Sequence, residues 1–151
     1  MRILSFVSII LIVFSCNIKA FAQSGNSSKI FTLIKQKKYT LALKASDSVY
    51  KKIVLSQKYL DPKEKNKFQE IVRFLEQNPK WPQANLIRIQ AENSIDDSTN
   101  QQIIFNYFQK NKPLTSRGYK YYAIAADSLV KKPDNLSEII KKGWYNGNSA
   151  K

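Results

Sequence analysis

The chain has 151 residues, 25 Lys+Arg against 11 Asp+Glu, no histidine and one cysteine, Cys16, for a formal net charge of +14. The missing histidine and the single cysteine exclude Ser-His and Cys-His nucleophile pairs, histidine general bases and zinc sites built on Cys or His. Carboxylates, hydroxyls and lysines are what remains for chemistry.

The first 22 residues read as an export signal. Arg2 gives a positive start, Ile3 to Cys16 is apolar apart from Ser5, Ser8 and Ser15, and Ala20-Phe21-Ala22 precedes Gln23. Charge, a short apolar run and a small-x-small site make a secretory signal peptide cleaved between Ala22 and Gln23. The run is too short for a membrane anchor, which takes about 20 residues. A lipoprotein signal at Cys16 is the rival: Ser15 suits it, bulky Phe14 does not, and the Ala-Phe-Ala site competes. The expected compartment is the periplasm, with no transmembrane segment after cleavage. The mature chain then has no cysteine, so its fold rests on its core rather than on disulfides.

Cleavage leaves about 129 residues, one ordinary domain by length. A basic surface can attract nucleic acid, anionic lipid or an anionic polymer. Only four of the 25 basic residues are Arg, and Lys37-Lys38, Lys51-Lys52, Lys131-Lys132 and Lys141-Lys142 are spread along the chain. Base and phosphate readers favour the rigid Arg fork, so these pairs read as solvated helix faces and no nucleic-acid partner is expected.

Residues 23–28 form a polar linker, and residues 29–147 are predicted to be helical, with 148–151 as a tail. Ile30, Leu33 and Ile34 begin an apolar face that stops near Lys38. After Tyr39-Thr40, Leu41, Ala42, Ala45, Val49, Ile53 and Val54 recur at helical spacing. Lys38-Tyr39 with Ala42-Leu43 resembles the turn of a TPR-type hairpin. A third helix is predicted from Asp61 as N-cap, with Pro62 at N1 and Glu64 closing a capping box. It buries Phe68, Ile71, Val72 and Leu75 and ends before Pro79. Pro82 is predicted to start a fourth helix through Leu86, Ile87, Ile89 and Ala91. Asp97 or Ser98 caps a fifth with Ile103, Ile104, Tyr107 and Phe108. Thr115 caps a sixth with Tyr119, Tyr122, Ala123, Ala126 and Leu129, closed by Pro133. Asp134 or Ser137 opens a seventh through Ile139, Ile140 and Trp144, ended by Gly147. The expected fold is all-α: about seven helices in stacked antiparallel hairpins, a right-handed superhelix with a repeat near 35 residues.

One stretch is more specific than periodicity. It runs Phe74-Leu75, Asn78-Pro79-Lys80-Trp81-Pro82, Leu86, Ala91-Glu92, Phe108, Pro113-Leu114-Thr115-Ser116-Arg117-Gly118 and Trp144. In order and spacing it resembles the N-terminal superhelical, U-shaped domain of the soluble lytic murein transglycosylases, over about half the chain from Phe68 to Trp144. The resemblance implies a periplasmic protein working on peptidoglycan. In that family a separate lysozyme-like C-terminal domain cleaves the bond between N-acetylmuramic acid and N-acetylglucosamine. It uses one glutamate as acid and base and leaves an anhydro sugar. These 151 residues match only the first part of the superhelix, and no glutamate-serine catalytic motif is present. The expectation is therefore an exported non-catalytic module, the product of a truncated or split gene, that binds peptidoglycan or a separately encoded catalytic partner. The alternative is a periplasmic TPR-like scaffold for protein interaction.

No residue is assigned a catalytic, cofactor-binding or metal-ligating role. Asp96-Asp97 suit Asx turns and capping. Glu92 lies four residues after Arg88, a placement for an ion pair, and Glu70, Glu76 and Glu138 read as exposed. Trp81 and Trp144 read as hairpin-packing residues, Gly118 as a site of close helix approach, and Tyr121 as an exposed candidate for glycan contact.

Overall fold

The computed structural model describes residues 26–129 and 136–148. Cys16, the signal cleavage site at Ala22-Gln23, Pro133 and Asp134 lie outside them. Among the described residues every regular element is an α-helix. These are α1 (26–35), α2 (Tyr39–Ala45), α3 (Ser48–Leu60), α4 (Phe68–Gln77), α5 (Ala84–Asn93), α6 (Gln101–Lys110), α7 (Ser116–Ser128) and α8 (Leu136–Asn148). The all-α expectation holds, with eight helices where the periodicity suggests seven. By internal contacts the chain divides into two units, Met1–Lys58 and Tyr59–Lys151.

In the first unit, α1 already includes residues 26–28, which composition places in the linker; Thr32 Oγ1 donates to the Ser28 carbonyl at 2.9 Å. The helix ends in a Schellman motif, with Lys37 N–H on the Ile34 carbonyl and Lys38 N–H on the Leu33 carbonyl, both at 2.9 Å. Lys37 occupies the left-handed position usually given to glycine, at φ 56°. Residues 41–54 are not one helix. Asp47 breaks the run: its Oδ1 accepts from Val49 N and Tyr50 N at 3.1 Å each and so caps α3. Ile30, Tyr39, Ala42 and Val54 form this unit's core, flanked by Leu33, Ile34, Leu43, Ala45 and Tyr50.

In the second unit, Asp61 makes a turn instead of opening a helix. Its Oδ1 accepts from Lys63 N and its carbonyl from Glu64 N, both at 3.1 Å. Residues 63–67 carry no apolar side chain to bury, so α4 starts only at Phe68. Its N-cap, Lys67, makes no side-chain capping bond. Pro82 likewise precedes rather than starts α5. Trp81 and Ala84 close a turn (Ala84 N to Trp81 O, 3.2 Å), with Pro82 second and Gln83 third at φ 63°, ψ 20°. That left-handed third position is what a type II turn requires. The cap of α6 is Asn100, not Asp97 or Ser98: its Oδ1 accepts from Gln102 N at 2.9 Å and Ile103 N at 3.3 Å. Gly147 lies inside α8 and does not end it.

Packing in this unit is between helices close in sequence: α4 on α5, α6 on α7, α7 on α8, with α5 also touching α7. Short connections of this kind give helical hairpins. Rings join the elements edge to face. Phe74 meets Tyr59 at 5.5 Å and Trp81 at 5.4 Å between centroids. Phe68 meets Tyr107 at 5.3 Å in the same way, whereas Phe108 and Tyr122 lie tilted at 37° with centroids 5.4 Å apart. Helix α7 packs against α5, α6 and α8: Tyr121 and Ala125 are covered along with Tyr119, Tyr122 and Ala126, while Arg117, Lys120, Ile124 and Asp127 stay exposed.

Candidate functional site

Two groups of the motif residues, 74–82 and 91–92 with 113–118, lie at the two ends of α5, about 15 Å apart at 1.5 Å per residue. At the N-terminal end, Phe74 is buried, Leu75 is half-buried, and Pro79 and Pro82 are exposed. Asn78 folds the chain: its Nδ2 donates to the Phe74 carbonyl at 2.8 Å, and its own carbonyl accepts Trp81 N–H at 3.0 Å. This sets the Trp81 indole edge-on against Phe74. Trp81 is half-buried and its ring packs on Phe74 of α4, the packing role its place beside two prolines suggests.

At the C-terminal end of α5 lies the more consequential site. Glu92 is fully buried, with 0% of its surface exposed. The expected ion pair with Arg88 is replaced by bonds to the chain entering α7. Leu114 N donates to Oε1 at 2.9 Å and to Oε2 at 3.0 Å; Thr115 N and Thr115 Oγ1 each donate to Oε2 at 2.7 Å. Leu114 and Thr115 lie just ahead of α7, so the carboxylate meets their N–H groups close to the positive end of the helix dipole. Thr115 does cap α7 as expected, its Oγ1 accepting Gly118 N–H at 3.0 Å. One hydroxyl therefore links the buried carboxylate to the first turn of the helix.

Two arginines clamp this joint. Arg88 Nη2 donates to the Lys112 carbonyl at 2.7 Å, and Arg117 Nε donates to the Ile95 carbonyl at 2.8 Å. Burial pushes the Glu92 carboxyl above the usual glutamate range, while the Thr115 hydroxyl, the two backbone N–H groups and the charge of Arg88 pull it back. A buried carboxyl of raised pKa suits a general acid, but this one is sealed from solvent and fully engaged by its donors. Its geometry is that of a structural brace.

Tyr121 does not stand exposed. It is only 5% exposed, its hydroxyl donates to Asp97 Oδ1 at 3.0 Å, and the Arg117 guanidinium lies 5.2 Å from its ring centroid. The segment between α5 and α6 that carries Asp97 reaches Tyr121, so a position off the main apolar stripe is still covered. Asp96 makes the anticipated Asx turn: its Oδ1 accepts from Ser98 N at 3.0 Å, Ser98 Oγ at 2.7 Å and Thr99 Oγ1 at 3.0 Å. Those bonds hold its pKa below the usual range. Glu138 is exposed as expected and pairs with Lys142. Trp144 falls within α8. Among the described residues no group of three or more His, Cys, Asp or Glu is placed to hold a metal ion, and no helix is long and apolar enough to cross a membrane.

Sequence reasoning missed the two arginine clamps, Gly143 and two clefts. A Cβ at Gly143 would fall 2.8 Å from Tyr119 Cβ, so that glycine sets the close approach of α8 to α7. The first cleft, about 480 Å³, lies between the end of α6, the 112–113 segment, α7 and α8. The second, about 750 Å³, is a more apolar groove along α7 and α8 that includes Ala123, Ile124, Ile140 and Gly143. Comparison with protein-family models, with curated proteins and with solved structures gives no match.

Proposed function

We propose that the chain is an exported, non-catalytic helical module of the lytic-transglycosylase type that works at peptidoglycan. The observation that carries this reading is the convergence on Glu92. Ala91-Glu92 and the Pro113-to-Gly118 segment stand more than 20 residues apart in sequence. They meet as one hydrogen-bonded joint in which Glu92, Thr115 and Gly118 each have a distinct physical task. Chance fragments of a motif have no reason to be mutually dependent in space. The superhelical arrangement and the periplasmic location belong to the same proposal.

The test is co-sedimentation of the exported chain with insoluble peptidoglycan across a salt series, with a parallel assay for released anhydro-muropeptides. Salt-resistant retention without release is expected. Loss of retention at moderate salt would sink the wall-binding reading, and release of anhydro-muropeptides would sink the non-catalytic one. The groove along α7 and α8, where Ile124 and Ile140 are exposed, favours the scaffold reading as the alternative. That reading is tested by cross-linking from a photoreactive residue at position 124 in intact cells, with a discrete protein adduct as its expected result.

A further inference from the structure

The cleft of about 480 Å³ has the size of a small-ligand site and an unusual lining. Tyr119 and Tyr122 contribute to its wall, and Lys110, Lys112 and Lys142 stand against a single carboxylate, Glu138. The chain there is held firmly. The Lys112 carbonyl is clamped by Arg88 at 2.7 Å, Asn111 Nδ2 donates to the Tyr107 carbonyl at 3.0 Å, and Leu114 N is fixed on Glu92. Lys112 therefore projects from an ordered segment rather than from a loose loop. Glu138 shows what these lysines receive: its carboxylate bonds Lys142, and Lys112 draws its pKa down further.

From this geometry we infer that the cleft binds a short peptide through a free carboxylate, with Lys112 and Lys142 as the carboxylate's partners. Three ammonium groups against one carboxylate leave two positive charges uncompensated among the lining residues. A ligand carboxylate therefore meets a net attraction, and a neutral ligand would not. Glu138 acts as an internal occupant that an entering carboxylate competes with for Lys142. Only the source of the peptide rests on the proposed function: a peptidoglycan stem supplies such carboxylates, and so does the C-terminus of a partner protein.

The experiment is titration calorimetry on the chain as processed on export, its N-terminus read by mass spectrometry. The probes are a synthetic peptidoglycan stem tripeptide, an all-L tripeptide of the same charge, and both peptides with every carboxyl amidated. Exposed charge pairs contribute modestly, so Lys112→Ala with Lys142→Ala is expected to weaken binding several-fold and at most about thirtyfold. Glu138→Gln, which frees Lys142, is expected to strengthen it a few-fold and cannot be explained by misfolding. Binding of the stem peptide that amidation abolishes supports the site and a wall-derived ligand. Binding of the all-L peptide alone supports the site and removes the wall as its source. Equal affinity for the amidated peptides, or no heat with any of them, overturns the inference. Retention on whole peptidoglycan would then leave the proposed function standing apart from this cleft.

Discussion

A Cβ placed on Gly118 would fall 2.7 Å from Cδ of Glu92, closer than side-chain atoms approach one another. The described residues include no glycine with positive φ, so Gly118 is required by the carboxylate it faces and not by its own backbone. The methyl of Gly118→Ala would have to push the Glu92 side chain out of its hydrogen bonds or lift α7 away from α5. A loss of about 1–3 kcal/mol is expected, the usual range for overpacking. It would be read as a lower midpoint in urea unfolding with the slope unchanged. A variant as stable as the parent would show that the joint is looser than its geometry.

Glu92→Gln keeps the shape of the side chain and removes the charge. At least one N–H or O–H donor would then face an amide NH₂, and a loss of about 1–3 kcal/mol is expected. The pH dependence separates this from a packing effect. Because burial raises the folded-state pKa of Glu92, the folded chain holds its proton to higher pH than the unfolded chain does. The stability linked to that proton is present below the unfolded-state value and is lost as pH rises through the folded-state value. Chemical unfolding across the acid-to-neutral range should show this decline in the parent and its absence in Glu92→Gln.

Trp81→Ala should loosen the packing on α4. The ring is half-buried against Phe74, so the cost should lie near the lower end of the range for large aromatic truncations, about 2–4 kcal/mol. A folded variant with an unchanged melting temperature would contradict the packing role.

Gln83 sits at φ 63° with a full side chain, a conformation that costs an L-residue roughly 1–2 kcal/mol. Gln83→Gly should relieve that strain and, after its greater freedom in the unfolded chain is counted, raise stability by about 0.5–1 kcal/mol. Gln83→Val, branched at Cβ, should lower it by at least as much. Thermal melts of the pair check both directions, and a drop with glycine would refute the strain.

Tyr121→Phe removes the hydroxyl that reaches Asp97 and leaves the ring beneath Arg117. A loss of about 0.5–1.5 kcal/mol is expected, the net value of one hydrogen bond. No change in peptidoglycan retention should accompany it, because the ring is covered. Weaker retention at unchanged stability would restore the glycan-contact role that its buried position argues against.

Much of this protein is determined by the sequence alone. The helical class follows from apolar residues at spacings of three and four, and the cap at Thr115 follows from a hydroxyl just ahead of such a run. These are local properties, set within one or two turns, and the chain expresses them whatever it packs against. Local signals also compete, which is why Asp61, Pro62 and Pro82 mislead. A turn and a helix start use the same residues, and the outcome at Asp61 depends on whether the residues that follow have anything apolar to bury. Only the tertiary structure decided where the Glu92 carboxylate goes, why Gly118 and Gly143 must lack a side chain, and that Tyr121 is covered. Each depends on a partner more than 20 residues away. Helical periodicity says which face of a helix is apolar; it does not say how many neighbours that helix will have. For α7 the neighbours include α5, α6 and α8, and from that follow the buried carboxylate brace and the lysine-lined cleft beside it.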